Sequence, residues 1–469
     1  MEQKNFRKFG IRDQVGYFFG DLAGSMVNLY IGAFFLMFAT YVLGITPQWM
    51  AGLFLFAKIW DAVNDPMIGS LPDRMRLGKS GDKFKPFIKV AMIPLALSGL
   101  ILFADTSSWS MTMKHIWVAV GYIIYGMSYT GTSMPYGAMS TVITKDPVER
   151  TKLSRARSLG GTAIGIFFMP IVSMFIWNED QSPNAKAFFM FAIIAGILSI
   201  IFYMLLLNLT TERYSQIETD SAETGKKEKT EQKYSFKQAV LGTLQNRPLI
   251  GIMIASIGSA FAANAQISLA SYIYKEYYGM PKIFSLTTLV NIPVMLVCFS
   301  LIPKLSGKFG KQKLVIGGII YNLVFSLILF LFPISNAYVY LVLSTLCGVG
   351  QTVFLMLVWA FVNDCIDYQE YKTHVRNDGT TYSIYTFSKK VGDSLAGSGV
   401  TFLLGMTGFI SGVSAQAAGV GENIRKLATI TPVIACVIQL IGMLLIYNLN
   451  KAKTEEMYAE LKRRQDTGE

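Results

Sequence analysis

Twelve stretches of the chain run apolar for about twenty residues or more, and this repetition constrains the fold before any motif is considered. The hydrocarbon core of a bilayer takes roughly 20 apolar residues to cross as a helix. The runs fall near 14–43, 47–71, 86–105, 114–143, 155–177, 187–209, 248–277, 283–303, 313–333, 337–363, 381–411 and 427–449. Several are longer than crossing demands, as tilted or bent helices are, with Gly160-Gly161, Pro170 and Pro293 as bending points. The expected fold class is an all-α polytopic membrane protein with 12 transmembrane helices.

Composition agrees. Of 469 residues, 52% are hydrophobic and only 15% charged, against about 25% charged in soluble domains. Mean hydropathy is +0.41. A formal net charge of +12 would suggest nucleic acid in a soluble protein, but here the positive residues gather in short loops, where they set topology. Lys4, Arg7, Lys8 and Arg12 precede the first run, and Arg74, Arg76, Lys79, Lys83 and Lys85 follow the second. Lys145, Arg150 and Lys152 follow the fourth, and Lys304, Lys308 and Lys311 the eighth. Lys451, Lys453, Lys462, Arg463 and Arg464 lie after the last. By contrast 44–46, 106–113 and 334–336 hold no Lys or Arg. The positive-inside rule therefore places both termini in the cytoplasm and the chain in the cytoplasmic (inner) membrane, which needs an even number of spans. Met1 to Asp13 is polar and basic, so no signal peptide is expected. The cysteines Cys298, Cys347, Cys365 and Cys436 show no CxxC spacing, and His115 and His374 are the two histidines. Neither a disulfide, a His-rich metal centre nor a cofactor is expected, only a coupling ion.

The long polar segment Thr210 to Lys237 divides the runs six and six. Its charge, including Glu218, Asp220, Lys226 and Lys227, and its lack of apolar periodicity predict a flexible cytoplasmic linker, with residues 236–244 as a short interfacial helix. The expected organisation is a six-helix bundle over 1–209, a linker over 210–246, a second six-helix bundle over 247–450 and a cytoplasmic tail over 451–469. A weak internal echo supports two related halves. Gly69-Ser-Leu-Pro-Asp73-Arg-Met-Arg-Leu-Gly78-Lys follows the second run, and Pro303-Lys-Leu-Ser-Gly307-Lys-Phe-Gly310-Lys follows the eighth. Six plus six spans with a long central loop is the layout of major-facilitator transporters, whose substrate site lies at midplane between the halves. The first basic turn resembles that superfamily's G-x-L-x-D-R-x-G-R-K signature; the second lacks the aspartate.

Within the second run lie Lys58, Asp61 and Asp65. A spacing of four puts both acids on one helical face. Ionisable groups inside a membrane are costly and mark ion or proton pathways. Two close carboxylates can share a cation, or share a proton because like charges resist double ionisation. The competing account is a structural Lys58–Asp61 pair with Asp65 at the interface. Asp21 sits among glycines in the first run, where a carboxylate can accept hydrogen bonds from a polyhydroxylated substrate, and Asn28 lies on a similar face. Tyr125, Tyr129, Thr130, Thr132, Ser133 and Tyr136 crowd the fourth run, a density of hydroxyls and aromatics that suits sugar. Of Arg155 and Arg157, the deeper Arg157 is expected to point inward. In the eleventh run Tyr382, Thr386, Lys389, Lys390 and Asp393 recur at helical spacings, and Lys390 balances the acids of the first half. Asn264 and Gln266 in the seventh run and Trp359 in the tenth are candidates for either lining or packing.

Together these motifs carry a resemblance. Ile59-Trp-Asp-Ala-Val-Asn-Asp-Pro66, followed by Asp82-Lys-Phe-Lys-Pro86-Phe, resembles the signature of the glycoside–pentoside–hexuronide:cation symporter family within the major facilitator superfamily. Gly20-Asp21, Met134-Pro135-Tyr136-Gly137, Asp146-Pro-Val-Glu149-Arg150, the Asp364-Cys-Ile-Asp367-Tyr-Gln-Glu370 stretch running on to Arg376, and Tyr382 with Lys390 match as well. The resemblance spans about residues 10–400 and implies sugar uptake driven by Na⁺, H⁺ or Li⁺. It implies Asp61 and Asp65 as cation carboxylates (ligands of the metal ion if that ion is Na⁺), Thr130 as an oxygen ligand and Lys390 as their cationic partner. It further implies Asp21 and Arg157 on the sugar, with Asn28 and Thr386 lining the pocket; Ser133, Asn264, Trp359 and Lys390 are further substrate-site candidates from the residues themselves. One departure bears on the ion: Ser133 stands where the best-known sugar permease of that family has an aspartate. A hard cation wants several oxygen ligands, whereas a proton needs one carboxylate, so H⁺ is the favoured ion.

An enzyme is the reading to exclude. The UbiA-type prenyltransferases also carry D-x-x-x-D in a membrane helix, but with an Asn four residues before the first Asp, where this chain has Ala57. A nearer rival is a major-facilitator transporter of a lysolipid or drug; the hydroxyl-rich, aromatic runs favour a sugar. The expected partners are a sugar or glycoside, a monovalent cation and the lipid bilayer, with a monomer as the functional unit and no nucleic acid.

Overall fold

The computed structural model describes residues 7–75, 77, 81–214, 246–373, 378–413 and 415–467. The interfacial helix expected at 236–244, most of the linker and much of the first basic turn lie outside the described residues. Among the described residues, twelve long helical rods correspond one to one with the twelve apolar runs. They are α1 (Ile11–Tyr41), α2 (Pro47–Gly69), α3 (Lys85–Leu102), α4 (Met111–Ile143), α5 (Pro147–Ala163, continued through Ile164–Phe168 and Met169–Phe175) and α6 (Ala185–Leu209). The second set is α7 (Arg247–Tyr272, continued through Ile273–Tyr277), α8 (Phe284–Phe309), α9 (Lys311–Leu331), α10 (Ala337–Cys347 and Val349–Thr373), α11 (Asp378–Met406) and α12 (Val420–Leu440, continued through Ile441–Ile446). A further helix, α13 (Lys451–Thr467), occupies what the sequence marks as a tail.

The starts of these helices follow from local chemistry. Asp146 accepts from the Val148 N–H at 2.8 Å with Pro147 at the first helical position, Asn184 from Ala187 at 3.0 Å, and Asn246 from Leu249 at 3.2 Å. Each satisfies an N–H group that the helix itself leaves unpaired. Near the bend expected at Pro170, a π-helical turn over Ile164–Phe168 leads directly into the last segment, which Met169 and Pro170 begin. A π turn accommodates a residue without breaking the rod.

The chain divides into two compact units, residues 1–230 with 410–414, and residues 231–409 with 415–469. Inside each unit the helices pack in the same scheme. In the first, α1 packs on α5 and α6, α3 on α4 and α6, and α2 on α4. In the second, α7 packs on α11 and α12, α9 on α10 and α12, and α8 on α10. The internal echo of the two basic turns is thus a repeat of the whole bundle. The first core is aromatic, with Tyr30, Phe34, Phe38, Phe103 and Phe188 essentially without exposure and the Tyr30 hydroxyl donating to the Phe188 carbonyl at 2.6 Å. In the second, Gly318 and Gly350 let α9 and α10 touch backbone to backbone; a Cβ on Gly350 would overlap the Gly318 carbonyl oxygen.

Among the described residues, nine helices are apolar and long enough to cross a membrane by themselves. The rods missing from that set are α2, α4 and α11. Those are the helices whose charges and hydroxyls lower their hydropathy.

One expectation needs correcting at its edge. Residues 210–214, assigned by composition to the linker, are packed into the first unit. Buried Asp13 binds Arg7 at 2.9 Å and Arg213 at 2.8 Å, and Arg213 also donates to the carbonyls of Arg7 and Ile143. Glu212, 1% exposed, accepts from the backbone N–H groups of Lys83, Phe84 and Lys85 at 2.6, 3.1 and 2.9 Å. It thereby caps the start of α3 from a distance of more than a hundred residues in sequence. The tail likewise is docked: Tyr458 of α13 donates to Asp364 at 2.7 Å, and Met457 and Leu461 are buried.

Candidate functional site

In the first unit α2 and α4 are in matched register. A Cβ on Gly126 of α4 would lie 3.2 Å from Asp61 Oδ1, and one turn on, the Thr130 hydroxyl donates to Asp65 Oδ1 at 2.8 Å. The two acids therefore meet α4 at positions four residues apart on each helix, which is the spacing that stacks side chains on one face. Gly126 has no side chain, so Asp61 can lie against the helix; Thr130 supplies an oxygen to its neighbour. Lys58 stands 3.6 Å from Asp61, with side-chain exposures of 49% and 27%. The ion pair of the structural account is thus present, but half-exposed pairs of this kind are weak, commonly worth about 0–1 kcal/mol. Asn64, between the acids, is buried.

A second constellation lies on α1, α4 and α5. Arg157 Nε reaches Asp21 Oδ1 at 3.2 Å, and Ser25 donates to the other carboxylate oxygen at 3.4 Å. The Arg157 guanidinium lies 5.2 Å from the Tyr136 ring centroid, and Tyr136 stacks on Tyr17 at 4.5 Å. Each of those tyrosines donates to the other's carbonyl, at 3.0 and 2.7 Å. This approach depends on glycine: a Cβ on Gly160 would sit 2.6 Å from the Phe18 carbonyl oxygen, and one on Gly161 would sit 2.8 Å from Asp21 Oδ2. Gly160-Gly161 therefore serves close contact between α5 and α1, where the sequence suggests a bend. Arg157, not Arg155, is the arginine that meets Asp21. Asn28 accepts from the Tyr125 hydroxyl at 2.5 Å, and Ser133 is half-buried on α4. Nothing in the sequence marks Tyr136 as the ring under Arg157, because a cation over a ring leaves no spacing signature.

In the second unit Trp359 of α10 is 41% exposed and stacks on Tyr382 of α11, 48% exposed, with centroids 5.4 Å apart and planes 21° from parallel. Tyr385 meets Trp359 edge-on, and its hydroxyl bonds with that of Ser256 at 3.1 Å. The result is an open aromatic face fixed from behind. Asn264 donates to the Ala260 carbonyl of its own helix at 2.8 Å, and Thr386 to that of Tyr382 at 2.9 Å, so both present acceptor oxygens more readily than donors. Lys390 is exposed and Asp393 half-buried one turn further along α11.

Twelve membrane helices in two matching units, with carboxylates, an arginine and aromatic faces carried within them, define a polytopic transporter of the major-facilitator fold. Residues 16–451 match the family described as MFS/sugar transport protein, and the chain belongs to that family. It is a transporter and not an enzyme. A relative from Salmonella typhimurium (strain LT2), provisionally named a 2,3-dihydroxypropane-1-sulfonate exporter, is 30% identical over 97% of this chain and 96% of its own length. An Escherichia coli (strain K12) relative, provisionally named a sulfoquinovose importer, is 29% identical over 98% of this chain and 95% of its own. Among solved structures, a bacterial homologue of the human lysosomal transporter Spinster superposes with a TM-score of 0.64 at 13% identity, over 96% of this chain and 97% of that one.

Proposed function

We propose that the protein is a secondary active symporter that imports a sugar or glycoside together with H⁺ or Na⁺, from a cytoplasmic membrane in which both termini face the cytoplasm. The observation that carries this reading is the register of α2 on α4, which sets Asp61 against Gly126 and joins Asp65 to Thr130. Asp61 and Asp65 take the coupling ion, with Thr130 as the neutral oxygen. H⁺ is the favoured ion, because the place that would supply a further carboxylate holds Ser133 and a bare proton needs fewer ligands than Na⁺. Asp21 and Arg157 bind substrate hydroxyls or an anionic substituent, and the Trp359–Tyr382 face stacks on the apolar side of a sugar ring. The arginine beside a carboxylate suits sugars that bear an acidic group, in keeping with the sulfonated sugar in one relative's name.

A second reading, export of a small hydroxylated sulfonate, is favoured by the name of the 30% identical relative. One experiment separates the two. Accumulation of labelled glycosides, hexuronides and sulfonated sugars is followed in a transport-deficient host as pH and Na⁺ are varied, for wild type, Asp61→Asn and Asp65→Asn. Import coupled to H⁺ gives substrate-induced alkalinisation of the medium in wild type and loss of accumulation in both variants. Alkalinisation that is absent while uptake follows Na⁺ reverses the ion. Accumulation against a gradient by both variants removes the two aspartates from the coupling site, and substrate-driven efflux without uptake establishes the exporter.

A further inference from the structure

The proposed transport site leaves unused an apolar crevice on the second unit, of about 360 Å³, between the end of α8 and the first turns of α9, with α10 as its floor. Phe309, Leu314, Gly317, Tyr321 and Val353 line it, and Lys313 stands at its rim. From Lys313 to Tyr321 is eight residues, so the crevice follows α9 for about 12 Å into the span. The floor is the glycine crossing, where Gly318 and Gly350 bring two backbones into contact. Gly317 faces open space: a Cβ placed there meets nothing within 4 Å. Gly317 and Gly318, having no side chains, therefore leave a slot in the surface of α9, which carries no acidic residue.

The mouth of this slot is cationic. Lys308 lies with its ammonium 5.4 Å from the centroid of Phe309, the exposed ring that forms one wall. Lys313, also exposed, is among the residues that line the crevice. The intervening Lys311 is committed to Asp364, to which it donates at 2.7 Å, whereas neither Lys308 nor Lys313 has an acidic partner among the described residues. Two unneutralised ammonium groups above an apolar slot, at the end of a membrane span, match one kind of molecule: an amphiphile with an anionic head and a hydrocarbon tail. Basic pockets between membrane helices bind anionic headgroups in this manner.

We propose that this crevice is a binding site for an anionic phospholipid, with one acyl chain lying along Gly317 and Gly318 and the phosphate held between Lys308 and Lys313. The site is independent of the transported substrate, and its test does not depend on transport. Full-length protein is released from nanodiscs of equal parts phosphatidylglycerol and phosphatidylcholine, and retained lipids are counted by native mass spectrometry. Wild type retains one lipid with phosphatidylglycerol favoured over phosphatidylcholine by about fivefold or more, the scale of surface attraction for a lysine. Lys308→Gln/Lys313→Gln retains lipid near the bulk ratio. Gly317→Leu, which places a side chain in open space and so leaves the helix packing intact, loses that lipid whichever its headgroup. Equal retention of both lipids by wild type, a headgroup preference unchanged in the double variant, or a full lipid complement on Gly317→Leu each overturns the proposal.

Discussion

The contact of α5 with α1 makes an opposed pair of predictions from one substitution type. Replacing Gly160 with alanine sets a methyl 2.6 Å from the Phe18 carbonyl oxygen and 3.0 Å from Asp21 Cβ. Carbon–oxygen contacts normally lie at about 3.3–3.6 Å, so α5 has to withdraw by roughly 0.7–1.0 Å. The obstacle is backbone, which cannot turn aside as a side-chain tip can. Overpacking of this kind costs about 1–3 kcal/mol, from which up to about 1 kcal/mol of helix propensity is recovered. The net expectation for Gly160→Ala is a loss of about 1 kcal/mol. Gly165, in the π turn of the same helix, has nothing within 4 Å of where a Cβ would stand, so Gly165→Ala keeps the propensity gain of about 0.4–1 kcal/mol. For a unit of some 200 residues, 1 kcal/mol moves Tm by roughly 2–4 °C. The two variants should therefore flank wild type and differ from each other by roughly 3–8 °C. Gly161→Ala, whose nearest neighbour is the movable Asp21 carboxylate at 2.8 Å, should fall between them in stability while disturbing the Asp21–Arg157 pair. Heating detergent-solubilised protein and measuring the surviving monodisperse peak by fluorescence size exclusion supplies the Tm values. A Gly160→Ala protein as stable as wild type, or a shift of both alanine variants in one direction, refutes the reasoning.

Three further outcomes follow from other sites. Burial pushes the Glu212 carboxyl above the ordinary carboxylate range, although the N–H groups of Lys83, Lys85 and Phe84 oppose the shift. An acid whose folded value is raised binds more protons folded than unfolded, so its contribution to stability declines as pH rises from the unfolded value through the folded one. Glu212→Gln should flatten that decline in a Tm series begun near pH 4, and identical pH slopes for the two proteins would contradict it. Asp364→Ala removes the acceptor of Lys311 and one of the two carboxylates that Tyr458 meets; limited proteolysis should then release α13 at least several-fold faster, and an unchanged digestion rate counts against the docking contact. Trp359→Ala should raise the apparent Km for a sugar substrate about tenfold, equivalent to ~1.4 kcal/mol, with Trp359→Phe intermediate; an unaltered Km removes the aromatic face from the binding site.

The twelve rods were legible in the sequence because crossing a bilayer demands a long apolar run, and the limits of α6, α7 and α9 follow those runs closely, whereas α10 continues ten residues past its run to Thr373. The kinds of group at the candidate site were legible too, since charge in such a run stands out. Partners were not. Nothing in the spacing of Tyr125 and Asn28, or of Tyr136 and Arg157, indicates that they meet, because that depends on how α4 is rotated against α1 and α5. Gly160 and Gly161 read as flexibility in one dimension and turn out to be clearance in three. The polar composition around Glu212 and Arg213 assigns them to the linker, yet their contacts are with backbone groups at residues 83–85 and at Ile143 that composition does not register.

The absence of α2, α4 and α11 from the set of self-sufficient spans has a consequence for how the protein is made. Each charged residue near the centre of an inserting helix opposes entry into lipid by about 2.5–3.5 kcal/mol, and α2 carries Lys58, Asp61 and Asp65. Three such charges therefore weigh against insertion of α2 on its own. The helix on which it packs, α4, comes later in the chain. In the second unit α11 finds its packing partner α7 already in place. The helices that carry the proposed coupling-ion residues are therefore the ones whose insertion leans most on a packing partner.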